Sequence, residues 1–188
     1  MVQRFIAFAV LPLLAAAIPA SAQSPVKVRE ISTLENGVYH HNRTGVEFTL
    51  PAGWTLVSQG QADYGGHSVL LKDSVTEAFA SVWMKAQKNE PADIPGLLER
   101  RLDVKLLQRN SFQSYKFRTE SVQHITVRGN QGVSVVADYV NLGQRKTEYL
   151  TWVYSGTTHV FFDGRVPEAQ QPEFQERFNV LIQSAVIP

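Results

Sequence analysis

Histidine titrates near neutral pH and is the commonest nitrogen ligand for metals. This 188-residue sequence has five, at positions 40, 41, 67, 124 and 159, and no cysteine. A metal centre would therefore have to be built from imidazoles and carboxylates. Yet His40 and His41 are adjacent, so on a strand their rings leave opposite faces and do not easily share one ion. Neither an H-E-x-x-H pair nor a cysteine-based zinc spacing occurs. Tyr39, His40, Asp63 and His67 are the residues that could converge, and His40, Asp63 and His67 are taken as ligand candidates without a metal or cofactor being assigned. His124 and His159 fall in strand patterns and read as hydrogen-bonded sheet histidines.

Nucleophile and phosphate motifs are no stronger. The nearest approach to G-x-S-x-G is Gly132-Val133-Ser134-Val135, where Val136 replaces the last glycine and the surroundings read as mid-strand, not a strand-to-helix elbow. Ser134 is thus an ordinary sheet residue. Gly60, Gly65 and Gly66 lack both the spacing and the lysine of a phosphate loop. The one charge cluster is Arg100, Arg101, Lys105 and Arg109, of which Arg101, Lys105 and Arg109 could form a docking face for an acidic partner. No catalytic residue is assigned, and the expectation is a protein that is not an enzyme.

These residues sit on a chain dominated by strand patterns. Phe48 and Leu50 alternate with Glu47 and Thr49, the period of a half-buried strand. Pro51 has no N–H to give a ladder, Ala52-Gly53 turns the chain, and Trp54 is placed to bury at the corner. Strands are expected over 68–72 and 78–85. A helix opens at Asp93 with Pro95 in its first turn and runs to about Arg109, its leucines 98, 102 and 106 on one side. Four strands follow, over 121–128, 133–140, 145–154 and 157–163, joined by connections short enough to demand antiparallel hairpins. Several carry apolar residues on both parities, as for a sheet covered on both faces. Pro172 opens a last helix with Phe174, Phe178, Leu181, Ile182 and Ala185 on one side. The order is α+β: an antiparallel sheet of about six strands with helices packed on its faces.

Residues 1–22 have the parts of a secretory signal peptide: Arg4, an apolar run from Phe5 to Ala17, and Ala20-Ser21-Ala22 before Gln23. Residues 23–37 read as a flexible lead-in and 38–188 as a single domain. Loss of Arg4 would leave 17 basic and 17 acidic residues. That balance gives no global attraction to nucleic acid or to an anionic membrane. Without cysteine, the fold has no disulfide and depends on its core.

Tyr39 and His40 ahead of Gly45-Val46-Glu47-Phe48-Thr49-Leu50-Pro51-Ala52-Gly53-Trp54, with the late hairpins and the terminal Leu181-Ile182-Gln183-Ser184, resemble the PsbP-like family. This is a family of exported α/β/α sandwiches related to the extrinsic PsbP subunit of photosystem II. The resemblance covers residues 38–187 and implies a non-catalytic binding or assembly domain outside the cytoplasm, periplasmic or secreted, engaging an envelope protein or a ligand. It carries over no catalytic residue. Two other readings stand beside it: an exported hydrolase or metal-dependent enzyme with a site assembled from scattered residues, and a carrier of a small apolar ligand using the gap between sheet and helix.

Overall fold

The computed structural model describes residues 31–62, 65–87, 93, 94, 96, 100, 101 and 112–188. Two antiparallel sheets make the scaffold. The smaller has three strands, β1 (Ser32–Glu35), β2 (Val38–His41) and β3 (Val46–Thr49), in that order. The larger contains β4 (Trp54–Gln61), β5 (His67–Asp73), β6 (Phe79–Ala86), β7 (Gln113–Phe117), β8 (Gln123–Val127), β9 (Asn130–Asn141), β10 (Gln144–Ser155) and β11 (Thr158–Pro167). Its order is β4-β5-β6-β11-β10-β9, and β7 and β8 then share the outer edge of β9, lying along different parts of it. The helix α1 (Gln171–Ser184) follows.

The four consecutive late strands are as the short connections require. The sheet is larger than the expected six or so strands, with eight members, because β4 and β7 extend its edges. Part of the expected lead-in is also a strand. Asn36 (φ 51°) and Gly37 (φ 77°) both take left-handed backbone and join β1 to β2 through a two-residue turn, with Glu35 opposite Val38. Residues 23–30 and the expected signal peptide lie outside the described residues. So does most of the helix expected over 93–109, of which Ile94, Gly96, Arg100 and Arg101 are described and helical. Among the described residues α1 is the one full-length α-helix, fewer than the helices expected on the sheet.

Both faces of the large sheet are covered. On one, Val69, Leu71, Val82, Met84, Val153 and Phe162 meet Phe174, Phe178, Leu181 and Ile182 of α1 and Tyr39, Val46 and Phe48 of the small sheet in one buried cluster. On the other, Val133, Val135, Leu150, Trp152 and Tyr154 pack with Ile94, Phe117 and Phe161. The central strand β10 is buried on both parities from Thr147 to Tyr154.

The Pro51-Ala52-Gly53 corner binds the layers together. Trp54 is 5% exposed and its ring lies 5.9 Å from that of Phe174. Gly53 has φ +80°, and a Cβ there would meet Ser74 Oγ at 2.9 Å. Arg177 of α1 donates from Nη2 to Ala52 O at 2.6 Å and grips the fully buried Asp73 through Nε (2.9 Å) and Nη2 (2.7 Å). Burial alone would raise the Asp73 pKa, but the hydrogen bonds from Arg177, Thr76 and the Val75 N–H outweigh it and hold the carboxyl below its ordinary value. This pair locks helix to corner.

Candidate functional site

Alternation along β2 decides which histidine enters the molecule. Tyr39 and His41 point inward and are buried, whereas His40 points to the other face. There His40 Nδ1 lies 2.7 Å from Glu47 Oε1 of β3. Opposite the inward pair, β5 begins at His67, whose Cα partner across β6 is Met84. The His67 and His41 rings stack at 4.4 Å and 21°, and His67 Nε2 is 2.9 Å from Tyr39 Oη. Tyr39 in turn stacks on Phe48 at 4.8 Å. Thus His67 converges with Tyr39 and His41, not with His40 as expected. Asp63 lies outside the described residues.

Above this stack opens a cleft of about 420 Å³ between the His41–Thr44 turn of the small sheet and the adjoining ends of β4, β5 and β6. His41, His67 and Met84 contribute to its walls, Arg43 stands exposed beside it, and more apolar than polar surface lines it. Its volume falls in the range of small-molecule sites, about 300–1,000 Å³. Gly66 brings backbone against the Trp83 ring, where a Cβ would stand 2.5 Å from ring atoms.

Both imidazoles are held neutral. Burial, then the nearby His67, Arg43 and His40, lower the His41 pKa to about 4; burial lowers that of His67. Burial also raises the Tyr39 pKa, against a lowering hydrogen bond from Ser32. His41 Nδ1 lies 2.7 Å from Thr44 Oγ1, while its Nε2 is buried with no partner among the described residues. The stack can therefore give or take hydrogen bonds, but it supplies no positive charge at neutral pH. Among the described residues no three His, Asp or Glu side chains converge to hold a metal ion.

The other expected site residues are scattered. Arg101 is partly buried and donates from Nε to Tyr154 Oη at 3.3 Å; Lys105 and Arg109 lie outside the described residues. Ser134 accepts from the Thr151 hydroxyl at 3.1 Å within the sheet, as an ordinary sheet serine should. His159 is buried against the Trp83 and Tyr154 rings, bonded to Gln87, with its pKa lowered to about 4 by burial and then by Arg101 and Lys85. His124 is exposed on β8. Buried Glu148 and Asp163 flank Arg165, whose Nε lies 3.0 Å from Glu148 Oε1 and whose Nη2 lies 2.8 Å from Asp163 Oδ2. Sequence reasoning missed His41, although its even spacing from Tyr39 put the two on one face.

The fold is PsbP-like. The solution structure of cyanobacterial PsbP (CyanoP) from Synechocystis matches with a TM-score of 0.59 at 14% identity, over 89% of this chain and 99% of that one. A crystal structure from Bacteroides thetaiotaomicron matches with a TM-score of 0.51 at 12% identity, over 76% of this chain and 45% of that one. At such identities the likeness shows the fold alone. No family model and no curated protein matches the sequence.

Proposed function

We propose that the chain is an exported, non-catalytic binding domain of the cell envelope whose ligand, or a partner's side chain, enters the cleft beside His41. The observation that carries this reading is a cleft of ligand size lined by His41, His67 and Met84, with Arg43 and Lys85 as its basic residues among those described. A general base works best with a pKa near the operating pH. His41, at about 4, is far below it, which favours holding a ligand over moving its protons. The gap between sheet and helix, the place expected for an apolar carrier, is filled by Trp54, Phe174 and Phe178.

Export rests on residues 1–22: protein collected from outside the cytoplasm should begin at Gln23, and intact Met1 on membrane-bound material would refute it. A docking role for Arg101, Lys105 and Arg109 toward an acidic envelope protein is a separate proposal, tested by the salt dependence of association. For the cleft, the test is a small-molecule library followed by NMR. Compounds should move the Met84 methyl and Gly66 amide resonances and be recovered unchanged. Gly60 lines the cleft and a Cβ there meets nothing within 4 Å, so Gly60→Phe should block it. Turnover of a bound compound that vanishes in His41→Phe would overturn the non-catalytic reading.

A further inference from the structure

The charges at the cleft have one sign. Among its described lining residues Arg43 and Lys85 are cationic and none is a carboxylate. Neither forms an ion pair with another described residue, whereas Arg118, Arg165 and Arg177 each hold a carboxylate at 3.0 Å or less. His41 and His67 add no charge at neutral pH, because burial holds both neutral. Arg43 itself helps to lower the His41 pKa, after burial and His67, so its positive field reaches the cleft wall. Lys85 follows Met84 near the end of β6, one step beyond the pairing of Met84 with His67. Charges of one sign in a concave wall focus the field and concentrate ions of the opposite sign, even on a chain whose overall charge is balanced.

The rest of the wall is small or apolar. Ile31, Met84 and Ala86 give it apolar surface. Gly60 and Gly65 also line it, and a Cβ at either would meet nothing within 4 Å, so the space beside them is open. A bare inorganic ion would use the charges and leave the apolar surface wet. A molecule with an apolar body uses both.

We propose that the cleft takes a small organic anion, its charged group drawn to Arg43 and Lys85 and its apolar body lying against Met84 and Ile31; this deepens the cleft reading above and rests on it. Carboxylates, phosphate esters and sulfonates share the property that two such cations recognise, negative charge. The cations select the sign of the ligand, and the wall selects its body.

Calorimetry on the full chain tests this with benzoate, phenyl phosphate and benzenesulfonate against benzyl alcohol, benzylamine and inorganic phosphate. Shifts of the Met84 methyl and Gly66 amide resonances place each probe in the cleft. An exposed charge pair is worth a factor of about two to three, so the organic anions should bind about fivefold more tightly than benzyl alcohol, and benzylamine more weakly than the alcohol. Raising salt from about 0.02 to about 0.5 M should remove most of that advantage and leave the alcohol unchanged. Arg43→Gln and Lys85→Gln should each weaken the anions about two- to threefold. Arg43→Glu combined with Lys85→Glu should put benzylamine above benzoate while benzyl alcohol still binds, which also shows that the variant is folded. All three anions above the alcohol support the proposal, and the tightest names the headgroup. Alcohol or amine binding as tightly as the anions, a charge-reversed variant that keeps the anion preference, or inorganic phosphate binding as tightly as phenyl phosphate would each overturn it. If benzyl alcohol alone enters, the binding reading stands and the anion falls; if no probe enters, both fall.

Discussion

Replacing Arg177 by methionine should destabilise the protein by about 3 kcal/mol at pH 7. Breaking a buried ion pair by removing one partner typically costs about 3–5 kcal/mol, because the other charge stays buried. Asp73 is fully buried, while the Arg177 side chain keeps 21% of its surface exposed, which places this pair at the low end. For a domain of this size the loss corresponds to a fall in Tm of roughly 6–12 °C. The pH dependence checks the cause. In the wild type the Asp73 carboxyl is held below 3.8, so its contribution is present above that value and is lost only as pH falls through the depressed folded pKa. Without Arg177, burial pushes the carboxyl upward and protonation relieves the variant first. Urea melts should therefore show the gap between variant and wild type narrowing from pH 7 to pH 4. Adding Asp73→Asn to Arg177→Met should recover about 1–2 kcal/mol at pH 7, since the stranded charge is gone. A loss below about 1 kcal/mol, or a gap that widens on acidification, would refute a buried-charge origin.

Trp54→Ala should cost about 3–5 kcal/mol in denaturant melts for the ring lost against Phe174, but Trp54→Phe only about 1, because the indole N–H is buried without an acceptor among the described residues. In the unfolded chain His41 and His159 titrate near 6.5, and in the folded protein near 4, so stability should fall as pH drops from about 6.5 to about 4 and be level just above. His41→Phe should flatten part of that slope in a pH series of urea melts. Gly164→Ala should destabilise by about 1–3 kcal/mol, because its Cβ would come within 2.8 Å of the Phe174 ring; a neutral outcome would mean that α1 shifts freely on the sheet.

Local patterns carried much of the fold. Pro51 ending β3, Trp54 anchoring the corner, the short turns of the late strands and the 3.6 period from Phe174 to Ile182 are each set by neighbouring residues. What they missed depended on distant pairing. Ser32–Glu35 reads as polar lead-in, although Asn36-Gly37 is a strong hairpin signal, because nothing nearby says what its strand would pair with. Of β7, only Gln113, Lys116 and Phe117 are opposite β9, across a shift in register. The site was half legible for the same reason. Adjacent His40 and His41 had to diverge, but which one turns inward is decided by Tyr39 stacking on Phe48 and by His67 arriving from β5.

The small sheet has a consequence in time. Strand β3 is closed from outside by residues 184–188: Glu47 and Val186 exchange both backbone hydrogen bonds, Ser184 Oγ bonds the Thr49 backbone, and a Cβ at Gly45 would strike Pro188. Thr49 and Ser184 are 135 residues apart. Such contacts form late, because a long loop must close before they contribute anything. A ribosome delivers a chain from its N-terminal side to its C-terminal side. Strands β1 to β3 therefore emerge well before Ser184 and Val186, and the contacts that hold the outer edge of β3 wait for those residues to follow.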